Sequence, residues 1–420
     1  MDIRHGREYR PRMSNLPAAR FLDRTTPPHI ITLILLAGVS ALSMNVFLPS
    51  LPNMSAHFGV DYAVMQLSIA AYLGFNAALQ VVLGPLSDRY GRRPIVLSGF
   101  AIFTVASIGC AVAPNAEVFL TFRMIQAGVV VGMVLSRAAI RDMVPPNQAA
   151  SMMGYVTMGM TIVPMLGPTL GGILDENFGW AANFWVLSVA GLVTLIVVWR
   201  DMGETATQKS ASFAEQFRQY PELVKSPRFW GYCLTSTFGG AAFFSYLGGA
   251  PFVGSAIYDL SPSTFGIYFS VPALGYFSGN FAVGRFAVRL GIDRMILAGA
   301  LILAGAMLMV TFLFMVGVSH VLVFFGFMYF VGLGNGMVIP NATAGMLSVR
   351  PHLAGSAAGL GGMIAIGGGA AMSGYAGSIL TPETGAMPLL LLMLSTSIIS
   401  AACILYVIRR TRILGLSQDT

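Results

Sequence analysis

Three groups of residues in this 420-residue chain stand out by type and spacing. The first is a run of glycine, acid and base, Gly84-Pro-Leu-Ser-Asp88-Arg89-Tyr-Gly91-Arg92-Arg93-Pro94. Its glycines permit a tight turn and close helix approach. Asp88 can accept from backbone amides at a facing helix N-terminus. The arginines can reach carboxylates at neighbouring helix ends, with Asp142 the obvious partner. The second group is Arg123 and Gln126 within an apolar stretch, Leu120-Thr-Phe-Arg123-Met-Ile-Gln126-Ala-Gly128. The third is Pro164-Met-Leu-Gly167-Pro168-Thr-Leu-Gly171-Gly172. Its physical effect is a bent helix that packs closely on its neighbours.

Bond-making chemistry would need a nucleophile beside a base, paired carboxylates or a histidine-rich metal set. No apolar stretch holds one. Asp61, Glu117, Asp142, Asp175, Asp259 and Glu383 fall at the ends of those stretches or between them. His5, His29, His57, His320 and His352 do the same. Cys110, Cys233 and Cys403 are far apart and read as small hydrophobes, with neither a disulfide framework nor a metal site. The chain is therefore expected to be no enzyme and to carry no cofactor or resident metal. Twenty-five methionines admit a copper reading through soft thioether ligands. Met152, Met153, Met158 and Met160 cluster, but without histidine or cysteine nearby the favoured reading is adaptable packing.

The elements that position these residues follow from composition. Hydrophobic residues make up 55% and charged residues 10%, against roughly 25% charged in a soluble domain. The mean hydropathy is +0.73. The apolar residues form runs of about 20, the length that spans a hydrocarbon core. Runs this continuous are helical, since barrel strands alternate over about 10 residues. Twelve spans are predicted: 30–53, 62–86, 94–113, 118–140, 149–174, 181–200, 229–257, 263–287, 292–316, 320–341, 353–380 and 386–408. The fold class is an all-α membrane protein of two pseudo-symmetric six-helix bundles. Residues 1–29 form a basic tail, 30–200 and 229–408 the bundles, 201–228 a central loop and 409–420 a second tail.

Charge supports both the count and the orientation. With the N-terminus in the cytoplasm, every Lys and Arg except Arg123 falls in a segment on that side, and the opposite loops carry only acids. The net charge of +7 is thus read as topology, with no nucleic-acid partner. The two halves also echo each other. Gly84, Arg89 and Gly91 recur as Gly284, Arg289 and Gly291, and Gly128 and Gly132 recur as Gly332 and Gly336. Two repeats around a central cavity is an architecture of alternating-access transporters.

The run Gly84–Pro94 resembles the signature loop of the major facilitator superfamily, between helices 2 and 3. Arg123 to Gly128 is similar to the family's helix 4 motif, and Gly167, Pro168, Gly171 and Gly172 to the antiporter motif of drug-exporting facilitators. With Asn45-Val-Phe-Leu-Pro49-Ser-Leu-Pro52 and Ser136-Arg-Ala-Ala-Ile-Arg141-Asp142, the chain looks like the branch that confers bicyclomycin and chloramphenicol resistance. The resemblance implies a drug:proton antiporter in a bacterial inner membrane, acting on a small molecule and with protons as a second partner, working as a monomer in the bilayer. It also implies that Gly84, Asp88, Arg89, Gly91, Arg92, Arg93 and Asp142 latch helix ends together. Asn45 departs from the aspartate that relatives often carry there, and an amide cannot titrate. Coupling then falls to Asp61 or Glu117 at the outer mouth or Asp142 inside, or is absent, which leaves an uncoupled facilitator. Transport of one specific solute, a metabolite or copper, is the alternative reading. An arginine within a span costs about 2.5–3.5 kcal/mol on insertion scales, so Arg123 is expected to face a cavity. Asn45, Gln126, Gln66, Tyr246 and Asn280 are expected to line that cavity with it, giving hydrophobic walls and few charges.

Overall fold

The computed structural model describes residues 19–143, 152, 156, 163, 166–205, 221–350 and 354–413. Within them the chain is helical throughout. Helix α1 is Ile30–Asn45, carried on through the 3-10 turn Leu48–Ser50 into Leu51–Phe58. Pro49 and Pro52 lack the N–H that would continue the ladder, so the helix changes course there. Next come α2 (Tyr62–Tyr90) and α3 (Arg92–Ala111). Helix α4 has two pieces, Ala116–Gln126 and Val130–Met143, joined by a 3-10 turn at Ala127–Val129. Helix α5 is described continuously over 166–178, followed by α6 (Ala181–Asp201).

The second half repeats the plan. Helix α7 (Pro227–Phe252) runs into a π turn at Val253–Ile257. Helix α8 is Pro262–Phe269 and Val271–Leu290. Helices α9 (Ile292–Met315), α10 (Val321–Ser348), α11 (Ala354–Ser378) and α12 (Met387–Ile413) complete it. Among the described residues nine helices are long and apolar enough to cross a membrane. With α5, the two-piece α8 and the glycine-rich α11 the total is twelve, as the hydropathy requires. Helix α10 runs on beyond its predicted end at 341, past Pro340, because within a bundle neighbouring groups absorb the lost backbone bond.

Each half packs as its own bundle. Helix α3 lies on α4 and α6 and α1 on α4 and α6, while α7 lies on α10, α11 and α12 and α9 on α10 and α12. Helix α2 reaches across to α11 of the other half. The turns that join α2 to α3 and α8 to α9 have the same geometry. Gly91 sits at φ 99°, ψ 153° and Gly291 at φ 81°, ψ 155°, a region closed to other residues. Their amides donate 2.9 Å bonds to Ser87 and Ala287. The first sequence echo is therefore a structural repeat. The second is not. Gly132 faces the Leu36 carbonyl of α1, whereas Gly332 and Gly336 face Pro272 and Tyr276 of α8.

Both described ends of the chain lie at one end of the molecule, here called the tail end. The Asp201 carboxylate at the close of α6 accepts from the amides of Leu22 (2.6 Å) and His29 (2.9 Å). Val224 and Lys225 near the start of α7 share a groove with Tyr406 of α12. The opposite, far end carries the α1–α2, α5–α6 and α7–α8 turns.

Candidate functional site

Arg123 is fully buried in the N-terminal bundle. Its Nε donates to the Ser68 carbonyl of α2 at 3.1 Å and its Nη2 to the Ser43 carbonyl of α1 at 3.0 Å. Its Nη1 donates to the Gln126 side-chain oxygen, and Gln126 donates in turn to Ser107 of α3 at 2.7 Å. The guanidinium lies over the rings of Tyr72 (3.9 Å) and Phe47 (4.4 Å). Backbone carbonyls, the Gln126 amide oxygen and aromatic faces thus solvate the charge, and none of these partners is a carboxylate. The sequence placed this arginine toward a cavity; the structure closes the bundle around it. Asn45 is not among its acceptors. The Asn45 amide is buried, with no hydrogen-bond partner among the described residues.

The far end joins the two halves. The faces of α5 that carry the glycine motif explain how. A methyl group on Gly171 would fall 1.6 Å from the Val46 carbonyl oxygen of α1, and one on Gly172 2.2 Å from the Pro262 carbonyl oxygen of α8. The seam is reciprocal, since a methyl group on Gly266 of α8 would lie 2.4 Å from the Pro168 carbonyl oxygen. Gly167 faces Leu42 and Val46 of α1. At the rim Glu176 accepts from the Ser263 amide (3.0 Å) and hydroxyl (2.9 Å), which caps the start of α8. Those bonds hold the Glu176 carboxyl below the usual range. On the other side of the seam Gln66 of α2 donates to the Ser373 carbonyl of α11 at 2.8 Å, and the Tyr62 hydroxyl to the Gly248 carbonyl of α7 at 3.3 Å. Asp175, beside Glu176, is buried and accepts from Asn53 at 2.6 Å. Burial pushes its carboxyl up, and the bond from Asn53 opposes this in part.

The tail end holds the signature loop. Arg92 pairs with Asp142 of α4 through Nε at 3.1 Å and donates to Ser87 through Nη1. Glu204, which the sequence reading passed over, accepts from the amides of Arg92 (2.8 Å) and Arg93 (3.3 Å). Arg93 also donates to the Trp199 carbonyl at 2.9 Å. The side chains of Asp88 and Arg141 lie outside the described residues, as do Pro164, Met153, Met158 and Met160. Tyr246 is buried in the C-terminal bundle and stacks on Phe269 at 4.8 Å, beside Phe324 and Phe325. Asn280 of α8 is half-buried and donates to the Tyr276 carbonyl. Of the residues the sequence named, Arg92 and Asp142 meet at the tail end, the stretch 84–90 belongs to α2 and not to a loop, and Gly167, Gly171 and Gly172 lie on the faces of α5 that meet α1 and α8. The site residues it grouped as one cavity are spread over the N-terminal core, the far-end seam and the C-terminal aromatic cluster.

Arg137 was counted with the tail-end loops. It lies within Val130–Met143 of α4, inside the apolar stretch Ala116–Ile140, where the predicted span 118–140 also put it. Its side chain is exposed. The signal was present in the sequence, since no helix breaker precedes Pro145.

Residues 33–374 match the Major Facilitator Superfamily. The chain belongs to this superfamily. It is 31% identical to a chloramphenicol resistance protein of Pseudomonas aeruginosa over 87% of this chain and 88% of that one. It is 29% identical to multidrug resistance protein D of Escherichia coli over 89% and 94%, and 30% identical to the MFS-type transporter YdgK of Bacillus subtilis over 87% and 92%. The crystal structure of a peptide transporter, POT, superposes with a TM-score of 0.76 at 14% identity, covering 96% of this chain and 98% of that one. A nucleoside transporter, NupG, gives 0.71 at 12% identity over 90% and 99%. As a superfamily member the chain is a multi-pass membrane transporter and no enzyme, and its relatives place it with the drug-resistance transporters.

Proposed function

We propose that this transporter exports small amphipathic compounds, drugs or toxic metabolites, across a bacterial inner membrane by alternating access. The observation that carries the reading is the reciprocal glycine seam between α5 and α8. It joins the halves at one end through residues of the motif that drug-exporting facilitators share. Small residues let two helices meet without interdigitated side chains, so the contact can part and re-form at little cost. The tail end is cytoplasmic, because the Lys and Arg of the loops gather there. In this reading the far end is the outer one. The units are 30–200 and 229–408, linked by the loop 201–228, and a monomer suffices.

The latch is Gly84, Asp88, Arg89, Gly91, Arg92, Arg93 and Asp142. It holds the tail ends together when the outer end opens and releases them when the glycine seam closes. Export is coupled to inward proton movement. Transport in proteoliposomes with and without an imposed pH gradient tests both parts. Substrate movement that the gradient drives uphill is the expected result. Equal movement without it removes proton coupling, and overexpression that lowers no compound's accumulation in cells removes export.

A further inference from the structure

A groove of about 560 Å³ lies between α7 and α12 at the tail end. Trp230 and Leu234 of α7 and Ile398, Cys403 and Tyr406 of α12 wall it, and Lys225 stands at its mouth. Ile398, Ile399 and Tyr406 are exposed, so the groove opens on the outer surface of the C-terminal bundle. Small residues create it. Gly231 lets α7 approach α12 so closely that a methyl group there would collide with Val407, and Ala402 puts almost no side chain into the space. The groove therefore sinks between the rings of Trp230 and Tyr406. The Trp230 Nε1 donates to the Val224 carbonyl at 2.8 Å, which satisfies the one polar atom of that ring.

The groove is apolar along its length and basic at one end. Tyr406 is followed one turn on by Arg410, and Arg409 stands two turns beyond Ala402, so the stripes of α12 that line the groove run on into arginine. Lys225, Arg409 and Arg410 have no carboxylate partner among the described residues. Glu222, three residues before Lys225, is paired with Arg350 at 3.0 Å.

In a bilayer the apolar part selects nothing, because lipid chains cover every outward face and are as apolar as leucine. Selection falls to the headgroup. Basic pockets between helices on the cytoplasmic side suit acidic headgroups, and each Lys or Arg near such a surface is worth about fivefold in binding. An interfacial tryptophan and tyrosine fix the depth at which the headgroup sits.

We propose that this groove is a binding site for an anionic phospholipid, with one acyl chain between α7 and α12 and the phosphate at Lys225, Arg409 and Arg410. The cytoplasmic leaflet supplies the lipid, given the orientation proposed above. The site is separate from substrate and coupling, and its test reads neither.

The test uses the full chain in phosphatidylcholine nanodiscs, with Trp180, Trp185 and Trp199 replaced by Phe so that Trp230 is the one tryptophan left of four. A rising share of the lipid is replaced by dibrominated phosphatidylglycerol or dibrominated phosphatidylcholine, whose bromines quench a tryptophan they touch. The glycerol lipid should half-quench Trp230 at a share about fivefold lower than the choline lipid. Lys225→Gln with Arg409→Gln and Arg410→Gln should bring the two midpoints together. A second chain that keeps only Trp199, exposed near the tail end of α6, is the comparison and should show the smaller preference. Native mass spectrometry of the unaltered chain, offered both lipids in equal amounts in detergent, should show the glycerol lipid retained in excess. Equal midpoints at Trp230, a preference unchanged in the triple Gln variant, or no excess in the unaltered chain would overturn the proposal. A preference as large at Trp199 would also overturn it, since the cause would then be the basic end of the molecule and not the groove.

Discussion

The Arg123 guanidinium donates to the Ser43 carbonyl oxygen at 3.0 Å, within the last turn of the first piece of α1. The final carbonyls of a helix have no partner in their own ladder, and a cation there is favoured by the helix dipole. Arg123 therefore ties α4 to α1 just before α1 bends at Pro49, and its Nε ties α2 to the same point. Removing it leaves a buried carbonyl unpaired and a large void. Arg123→Ala should destabilise the protein by about 3–5 kcal/mol, the range for emptying the site of a large buried side chain. Arg123→Lys should not restore stability, because an ammonium lacks the planar fork that reaches three acceptors. Thermal unfolding in detergent, without substrate, is the measurement. An unchanged unfolding temperature in Arg123→Ala would leave Arg123 with a role in transport alone.

The glycine seam can be tested one residue at a time. Gly171→Ala would push α1 from α5 within one bundle, while Gly172→Ala would push α8 from α5 between bundles. The first should lower stability, by about 1–3 kcal/mol for overpacking. The second should shift the molecule toward the state open at the far end. Cross-linking of cysteines introduced at Leu170 and Ile267 on either side of the seam, in a background without Cys110, Cys233 and Cys403, reads the shift. Gly172→Ala should lower the cross-linking yield and Gly171→Ala should not. Equal yields in both would mean that the seam does not govern opening.

Much of this was legible in the sequence because membrane helices are dictated by length and charge. The twelve spans, the repeat of Gly91 as Gly291 and the packing role of Gly167 to Gly172 needed no partner to be read. Arg123 shows where reading stops. Its acceptors are the carbonyls of Ser43 and Ser68, and backbone carbonyls are the same at every residue, so no side-chain pattern could select them. Asn45 attracted the prediction because it has a side chain to offer. Arg137 was assigned to the tail-end side by charge although the predicted span 118–140 already held it, so charge and span disagreed at that residue. Glu204 lay in a polar stretch where one acid looks like any other.

Glu204 makes its own prediction. Its carboxylate accepts from the first two amides of α3, where a helix leaves its N–H groups unpaired. Glu204→Ala should cost about 0.5–2 kcal/mol, as the loss of an N-terminal cap does. Because Gly91 turns the chain directly against the Glu204 carboxylate, the signature loop should loosen with it. Faster hydrogen exchange at Gly91, Arg92 and Arg93 in Glu204→Ala, with α6 unchanged, is the expected signature. Uniform exchange across the loop in parent and variant would remove the cap.

The rim of the seam should respond to pH in two opposite ways. Burial raises the Asp175 carboxyl, so the packed state binds its proton more tightly than the parted or unfolded state. The stabilisation linked to Asp175 is therefore full below the ordinary carboxylate value and is lost as pH rises through the raised one. Glu176 behaves inversely. Its bonds from Ser263 lower its value, so its contribution is present above the ordinary value and is lost as pH falls through the lowered one. Unfolding temperature against pH separates them. Asp175→Asn should flatten the decline on the alkaline side of the carboxylate range, and Glu176→Gln should flatten the decline on its acidic side. Glu176 is the smaller effect, since its carboxylate is open to solvent and screened. If Asp175→Asn kept the parent's full pH dependence, the buried Asp175–Asn53 contact would not be the group that titrates.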